Sequence, residues 1–421
     1  MPDSAVRPPD DPPAPSLGEL LADRSVLALV VSRLCSAASS VAMALAMGKL
    51  VYDITGRELS LGLVGLAEFL PTALLVIVAG ALADRVDRRR ISAVAYLGQA
   101  GVAAVIAGYV RTAPSSVGVL LILTLVYGAA RGFANPASRS LPPSVAPPGG
   151  LARLVSTMST VFQLAAVTGP IVAGILYAVD PALPFVVIAV LHVLAAAAMA
   201  FVRLRVKLVR SVERPTLSSA LDGLRLVRRT PILLGAIGLD LFAVLFGGAV
   251  ALAPALAEER LGVGAVELGW MRAAGGVGAA ATALLLMFRP LTRQVGRYLL
   301  GAVAAFGLAT IALGTTRNLV VALVLLAAIS AADMVSVFVR ATIVPLATPD
   351  HLRGRVMAVE MVFIGASNEL GAFESGVTAE WFGLVPAIIA GGLLTLVVVA
   401  VWWVAFPSLR DVDRFSDIEV R

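Results

Sequence analysis

The sequence predicts an all-α polytopic membrane protein with about twelve transmembrane helices in two pseudo-symmetric six-helix halves. Three observations support this prediction. The 421 residues are 59% apolar and only 14% charged, whereas soluble proteins are nearer half apolar and a quarter charged. The apolar residues fall in runs long enough to cross a bilayer, which takes about 20 residues. Short loops rich in arginine separate many of these runs.

Composition and the absence of motifs exclude several classes of function. Twelve spans with their connections leave too little chain for a large extramembrane enzyme module. The single cysteine, Cys35, permits no intramolecular disulfide, and with only His192 and His351 the sequence predicts no metal site and no cofactor. There is no phosphate-binding loop and no serine elbow, so an enzyme is not predicted. The net charge of +6 is spread over short loops, which argues against a nucleic-acid partner.

The first 24 residues are rich in proline and aspartate and lack the apolar core of a signal peptide. They are interpreted as a disordered cytoplasmic tail that the mature protein keeps. Twelve apolar runs follow this tail. Their predicted bounds are 26–50, 60–83, 91–110, 117–141, 151–177, 183–202, 231–256, 266–288, 298–316, 319–345, 356–380 and 384–406.

The longest connection, 203–230, follows the sixth run and divides the chain. The N-terminal half is therefore predicted at 25–202, the C-terminal half at 231–406, and a second cytoplasmic tail at 407–421. Apolar residues at helical spacing opposite basic ones predict an amphipathic helix in this central loop, lying on the inner membrane surface. Its apolar positions are Leu217, Leu221, Leu224 and Val227.

Matches between the two halves indicate a duplication. Arg33 in span 1 and Asp240 in span 7 are 207 residues apart, as are Gly62 in span 2 and Gly269 in span 8. Parallel repeats of this kind are a known architecture of membrane transporters.

Loop charge predicts the orientation. One set of alternate loops carries most of the lysines and arginines, whereas the other set carries only Arg57, Arg111, Arg260 and Arg317. By the positive-inside rule, the first set and both termini are cytoplasmic, in a multi-pass protein of the cell (inner) membrane.

Ionisable residues inside the spans mark a predicted functional pathway, because such groups are costly at bilayer depth unless paired or hydrated. They fall on spans 1, 2, 4, 7, 8, 10 and 11 only, which separates cavity-lining helices from lipid-facing ones. The alternative, that single members form structural ion pairs or lie nearer the interface, stays open. The set is Arg33, Glu68, Arg131, Asp240, Arg272, Asp333, Arg340, Glu360, Glu369 and Glu374.

Span 11 carries acidic residues on two faces. Glu360, Ser367 and Glu374 recur every seven residues and form one polar stripe. Glu369 lies on roughly the opposite face, so we predict that it points away from any cavity that the stripe lines.

The loop between spans 2 and 3 carries a glycine, an acidic residue and clustered arginines, and Asp87 stands among them. This loop resembles the signature loop of the major facilitator superfamily, usually written G-x-x-x-D-[RK]-x-G-[RK]-[RK], with Asp87 where a glycine is usual. The residues that carry the resemblance are Gly80, Asp84, Arg85, Arg88 and Arg89.

Other stretches are similar to the branch of that superfamily that includes the enterobactin exporter and related drug exporters. Gly169, Pro170 and Gly174 are similar to the antiporter motif of span 5, with Ala165 and Ala173 where glycines are usual. The remaining stretches are Tyr52–Gly56, Leu239–Leu252 and Arg353–Gly376.

The resemblance implies an alternating-access transporter in which two halves rock around a cavity lined by spans 1, 2, 4, 5, 7, 8, 10 and 11. It also implies that Asp84 and Arg85 lock the cytoplasmic closure against span 11, and that Gly80 allows close helix approach. The expected partners are a small-molecule substrate, protons and membrane lipid, with a monomer as the working unit.

The predicted function is proton-coupled export of amphipathic organic compounds, either drugs or siderophore-like metabolites. Such coupling requires a carboxyl group that binds a proton in one state and releases it in the other. The spacing of Asp333 and Arg340 places them on one helix face, where a pair could change between states. The proton-coupling candidates are Glu68, Asp240, Asp333 and Glu360.

Two alternatives remain open. A lysophospholipid translocator is one, because arginines in the cavity would suit a phosphate head group. The other is a non-transporting membrane receptor or assembly factor with the same fold. The candidates for lining the substrate cavity are Arg33, Arg131, Asn135, Arg272, Arg340, Ser367 and Glu374.

Overall fold

The computed structural model describes residues 15–83, 85–112, 116–205 and 217–418. These residues contain twelve helices long and apolar enough to cross a membrane and no strand, which confirms the predicted fold class. The helices are α1 (Arg24–Thr55), α2 (Glu58–Ala83), α3 (Arg88–Val110), α4 (Val117–Arg139), α5 (Leu151–Val179), α6 (Leu183–Phe201), α7 (Pro231–Phe246), α8 (Ala265–Phe288), α9 (Val295–Thr315), α10 (Leu319–Leu346), α11 (Arg353–Phe382) and α12 (Leu384–Ala405).

Helix ends follow local capping chemistry. Asp23 precedes α1, and its Oδ1 accepts hydrogen bonds from the backbone N–H groups of Ser25 at 2.8 Å and Val26 at 3.3 Å. These bonds satisfy donors that the first helical turn leaves free. Gly56 ends α1 with a φ of 58°, a left-handed conformation that suits glycine.

The segment predicted to be disordered, 1–24, contains an ordered helix near its C-terminal end. Ser16 caps a short helix, Leu17–Ala22, in which Leu20 is fully buried. This short amphipathic helix is ordered because it buries its apolar side chain against the bundle. The composition of the segment did not indicate that contact. Residues 1–14 lie outside the described residues.

The break in α7 is the main departure from the predicted spans. The helix ends at Phe246, and its span continues to Arg260 through short, irregular turns. A Cβ at Gly247 would lie 2.3 Å from the Phe306 ring of α9, so glycine is required at this close contact. The apolar run itself is unbroken, which is why the sequence predicted one continuous span.

The two halves have the same internal packing, displaced by six helices. In the first half α1 packs on α5 and α6, α2 on α4, and α3 on α4 and α6. In the second half α7 packs on α11 and α12, α8 on α10, and α9 on α10 and α12. This correspondence supports our proposal that the halves arose as a repeat. Between the halves, the main contacts join α2 to α11 and α5 to α8.

Glycines hold the halves together at one end of the bundle, here called the closed end, which carries the α1–α2, α5–α6, α7–α8 and α11–α12 loops. A Cβ at Gly62 would lie 2.9 Å from the Cα of Phe373, where α2 crosses α11. A Cβ at Gly174 would lie 2.4 Å from the carbonyl oxygen of Ala265, where α5 crosses α8. Only residues without a side chain permit this backbone approach.

The other end, here called the basic end, carries the arginines of residues 85–90. A short amphipathic helix was expected in the central loop, and the structure has a helix there, Leu217–Arg229. It packs on the start of α11: Val227 is buried, and the Arg355 side chain lies 3.3 Å from the Asp222 carboxylate. Residues 206–216 of the loop lie outside the described residues.

Candidate functional site

A cavity of about 490 Å³ lies between the halves toward the basic end. Most of its wall comes from the first half, through α1, α3, α4, α5 and α6, and Ala283 of α8 and Met334 of α10 complete it. Two charged side chains line it, Arg33 of α1 and Arg139 at the end of α4. We call this space the basic-end cavity.

The position of Arg33 follows from the packing of α1. The neighbouring Ser32 is fully buried and donates a hydrogen bond of 2.9 Å to the carbonyl of Ala195 in α6, which fixes this turn of α1. Arg33 then projects toward α5, where its guanidinium carbon lies 5.1 Å from the centre of the Phe162 ring. This distance allows a cation–π contact.

A second site lies inside the C-terminal half, where three helices meet. Arg340 of α10 pairs with Asp240 of α7 at 2.7 Å and with Glu360 of α11 at 3.6 Å. All three side chains are at most 7% exposed. Buried ion pairs of this kind are weak evidence for stability but leave a strongly destabilised charge when one partner is lost.

Asp333 extends this site. Together with Asp240 and Ser336 it lines a small cavity of about 10 Å³, room for roughly one water molecule. We call Asp240, Asp333, Arg340 and Glu360 the coupling cluster. It holds three carboxyl groups and one guanidinium, so full ionisation would leave a buried net negative charge.

A third group of charges lies between the halves. Glu68 of α2 forms an ion pair with Arg131 of α4. Glu369 of α11 reaches the same region, because a Cβ at Gly65 of α2 would lie 3.0 Å from its carboxylate oxygen. Glu369 therefore faces the other half of the molecule and acts electrostatically on Arg131.

The two faces of α11 thus place acidic side chains in two different parts of the molecule. Glu360 points to the coupling cluster, and Glu369 points to α2. The prediction that Glu369 lies opposite Glu360 and points away from the site that Glu360 lines agrees with this geometry, but its surroundings on α2 were not predicted. The reason is that α11 packs on both halves, so both of its faces are interior.

The other predicted cavity residues do not line the basic-end cavity. Ser367 is fully buried and donates to the carbonyl of Ile364 in its own helix at 3.0 Å. Glu374 accepts a 2.8 Å hydrogen bond from Thr378, also on α11. Asn135 is half-buried on α4. Their positions along the helices were predicted from spacing, but none of them is among the residues that line this cavity.

Arg272 of α8 differs from Arg131 and Arg340. Its side chain is half-buried, its Nε atom has no hydrogen-bond partner, and no ion pair joins it to a carboxylate in the part of the chain that the structure describes. It does not line the basic-end cavity either.

The closed end carries a polar cluster that the sequence analysis missed. Lys49 of α1 pairs with Asp53 on its own helix and with Glu258 across the halves. Tyr177 of α5 donates a 2.6 Å hydrogen bond to Asp53. The signal was present, because Lys49 is a charged residue inside an apolar run.

Two further contacts join the halves at the closed end. Tyr52 hydrogen-bonds to Glu259, and these residues are 207 positions apart, the same offset as in the predicted duplication. Arg57 of the α1–α2 loop pairs with Glu380 of α11 at 2.7 Å. With Lys49–Glu258, these are the polar contacts that we call the closed-end latch.

The signature loop is only partly described, because Asp84 lies outside the described residues. Gly80 lies in the last turns of α2, and Arg85 is exposed. Arg89 bonds to the Asp87 carboxylate at 2.6 Å and to the carbonyl of Val202 at 2.7 Å, so it ties the loop to the end of α6. The Arg89 hydrogen bonds hold the pKa of Asp87 below its usual range.

The span-5 motif lies at the interface between the halves. Gly174 faces Ala265, and the carbonyl of Pro170 would lie 2.6 Å from a Cβ at Gly269 of α8. Gly169 faces α1, where a Cβ would lie 3.4 Å from the Ala38 carbonyl. Gly269 is also one of the repeat-related glycines, and its counterpart in the first half makes the matching contact between α2 and α11.

A family model described as "transmembrane secretion effector", of the major facilitator superfamily, matches residues 21–419. A multidrug efflux pump, Tap, of Mycolicibacterium fortuitum is 28% identical over 392 residues, which is 87% of this chain and 92% of the relative. Tap of Mycobacterium tuberculosis is 29% identical over 412 residues, covering 93% of this chain and 96% of the relative.

Solved structures have the same fold. A bacterial homologue of the human lysosomal transporter Spinster, inward-facing and unoccupied, matches with a TM-score of 0.73 and 15% identity over 91% of this chain and 97% of that one. A bacterial homologue of the iron transporter ferroportin, also inward-facing, matches with a TM-score of 0.68 and 18% identity over 92% and 99%.

Proposed function

Because this chain belongs to the transmembrane secretion effector family of the major facilitator superfamily, we propose that it exports amphipathic, drug-like compounds in exchange for protons. Family membership makes it a multi-pass membrane transporter, not an enzyme. The activity of the multidrug efflux pumps to which it is similar supports drug export as its function. A siderophore-like metabolite is a second possible cargo of the same chemistry.

The observation that carries the proposal is the cavity between the two halves toward the basic end. At the closed end the two halves are sealed against each other. The glycine contacts and the closed-end latch join the halves at one end, and the basic-end cavity lies toward the other. An alternating-access exporter needs this arrangement in the state that takes up substrate. Loop charge predicts that the basic end is cytoplasmic, so the cavity would load from the cytoplasm.

The coupling cluster supplies the proposed proton step. Arg340 is shared by Asp240 and Glu360, whereas Asp333 makes no ion pair in the described part of the chain and lies against a water-sized cavity. Asp333 is therefore the carboxyl group best placed to exchange a proton with water. Protonation would reduce the buried negative charge of the cluster, which links proton binding to the packing of α7, α10 and α11.

The test compares uphill transport with exchange. In inside-out membrane vesicles with an acidic lumen, Asp333→Asn should reduce gradient-driven dye accumulation to the level of vesicles without the protein. Exchange of labelled for unlabelled dye should remain, because an amide keeps the shape and hydrogen bonding but cannot titrate. Asp350→Asn is the matched control, since Asp350 is an exposed loop carboxylate paired with Arg353 at 2.5 Å. It should pump at the wild-type rate.

Uphill accumulation by Asp333→Asn at the wild-type rate would reject Asp333 as the proton carrier. Glu68→Gln, Asp240→Asn and Glu360→Gln complete the set. If all four neutral variants pump uphill normally, proton exchange through these carboxyl groups is wrong, and the driving force must be coupled through other groups.

A lysophospholipid translocator is the second candidate function. The arginines of the basic-end cavity lie beside an apolar wall, a combination that would also accept a phosphate head group and an acyl chain. Transport of labelled lysophospholipid by reconstituted protein, without transport of dyes, would favour it.

A further inference from the structure

The wall of the basic-end cavity is apolar apart from a few hydrogen-bonding side chains and two cations. Its apolar side includes Met158, Met199 and Phe162, and its hydrogen-bonding side includes Tyr96 and Gln163. Its volume of about 490 Å³ falls in the range of pockets that enclose small organic ligands, about 300 to 1,000 Å³. The size and wall suit one amphipathic molecule.

The charge of the lining has one sign. Arg33 and Arg139 are its charged members, and no carboxylate is among the residues that line it. Neither arginine forms an ion pair with a carboxylate in the described residues, and both like charges face the same cavity. Two cations that repel each other beside an apolar wall are stabilised by an anion placed between them.

The carboxylates described near this end are already engaged elsewhere. Asp23 pairs with Arg205, and Asp87 pairs with Arg89 at 2.6 Å. Deeper in the bundle, Arg131 and Arg340 are neutralised by acidic partners. Arg33 and Arg139 thus place uncompensated positive charge on the wall of the cavity, whereas Arg272, which is also unpaired in the described residues, lies outside it.

We infer that the basic-end cavity selects amphiphiles that carry an anionic group, with Arg33 and Arg139 binding the anion and Phe162 and the methionines holding the apolar body. The inference rests on the proposed function, because it names the substrate class of the same transport site. Carboxylate, sulfonate and phosphate share the required chemistry, so an anionic drug and an anionic lysolipid are both possible sources of it.

Equilibrium binding tests the inference independently of transport. The purified full-length protein in nanodiscs of zwitterionic lipid is titrated with 1-pyrenebutyrate, with neutral 1-pyrenebutanol and with a cationic pyrenebutyl-trimethylammonium. These probes share an apolar body and differ in charge. The anion should bind about tenfold tighter than the neutral probe, the effect expected of charge-assisted hydrogen bonds.

Arg33→Gln should remove this preference, and Arg139→Gln should reduce it. Binding of the neutral probe should stay within about twofold, because the apolar wall is unchanged, and this binding also checks that each variant is folded. Arg297→Gln is the matched control, since Arg297 is an exposed arginine of α9 at the basic end and does not line the cavity. It should bind all three probes as the wild type does.

Wild-type protein that binds the cationic probe as tightly as the anionic one would overturn the inference. Unchanged anion preference in both Arg33→Gln and Arg139→Gln would do the same. Competition by lysophosphatidate and by an aromatic sulfonate identifies the source of the anion: displacement by both indicates a general anion site, and displacement by lysophosphatidate alone indicates a lipid site.

The two proposals fail separately. Proton-driven export without any anion preference in binding would leave the proposed function standing and reject the inference. Anion binding that requires Arg33, together with no proton-driven export, would reject the proposed function and keep the inference.

Discussion

At the scale of single residues, the surroundings of each arginine distinguish its role. Arg340 is buried between two carboxylates, whereas Arg33 lies on a cavity wall beside an aromatic ring. The sequence identified both as ionisable residues inside spans and predicted that Asp333 shares a face with Arg340. It could not predict the partners Asp240 and Glu360, because helical spacing gives neighbours along one helix and these partners lie on two others.

Arg340→Gln should destabilise the protein, because it leaves buried carboxylates without their cation. Breaking a buried pair by removing one partner costs about 3–5 kcal/mol. Thermal unfolding followed by intrinsic tryptophan fluorescence in detergent measures the change. The double variant Arg340→Gln/Asp240→Asn should recover part of the loss.

Arg293→Gln provides the control at an exposed site. Arg293 pairs with Asp413 at 3.4 Å, and its side chain is 70% exposed. Exposed pairs contribute about 0–1 kcal/mol, so this variant should unfold close to the wild-type temperature. Equal stability of Arg340→Gln and the wild type would show that the coupling cluster does not hold an ionised Arg340 against carboxylates.

At the scale of elements, apolar runs predicted the twelve helices because a membrane span must satisfy its own backbone hydrogen bonds. The break at Gly247 was not predicted, since a glycine inside an apolar run is equally compatible with a straight helix. The contact of Glu369 with α2 was not predicted, because the sequence does not show which helices pack on both halves. The short helix Leu17–Ala22 was not predicted, because six residues are too few to show a helical pattern of apolar positions.

The glycine contacts at the closed end give an element-scale prediction. Gly174→Ala adds a Cβ that would lie 2.4 Å from the Ala265 carbonyl, so α5 and α8 must separate. The population with the closed end sealed should fall, and the distance between spin labels on the α5–α6 and α7–α8 loops should increase in pulsed EPR.

Gly101→Ala in α3 is the matched control in the same half. A Cβ at position 101 would meet nothing within 4 Å. The substitution replaces glycine by a better helix former, which stabilises the helix by up to about 1 kcal/mol. The label distances should stay at the wild-type values. An unchanged distance distribution in Gly174→Ala would contradict the role assigned to this contact.

At the scale of the whole molecule, the signature loop, the spans and the six-plus-six division of the sequence predicted a major facilitator transporter, and the family match confirms this prediction. Which end opens could not be predicted, because both conformations of an alternating-access protein share one sequence. The orientation in the membrane remains a prediction from loop charge. We propose that substrate leaves the basic-end cavity when the coupling cluster takes up a proton.

Proton movement driven by substrate tests this claim most directly. The wild-type protein is reconstituted in liposomes that contain a pH-sensitive dye, with no initial pH gradient, and a gradient of a transported compound is imposed. We predict proton flux opposite to the substrate, present with Asp350→Asn and absent with Asp333→Asn and in protein-free liposomes. Substrate flux at the wild-type rate without any change in luminal pH would contradict it.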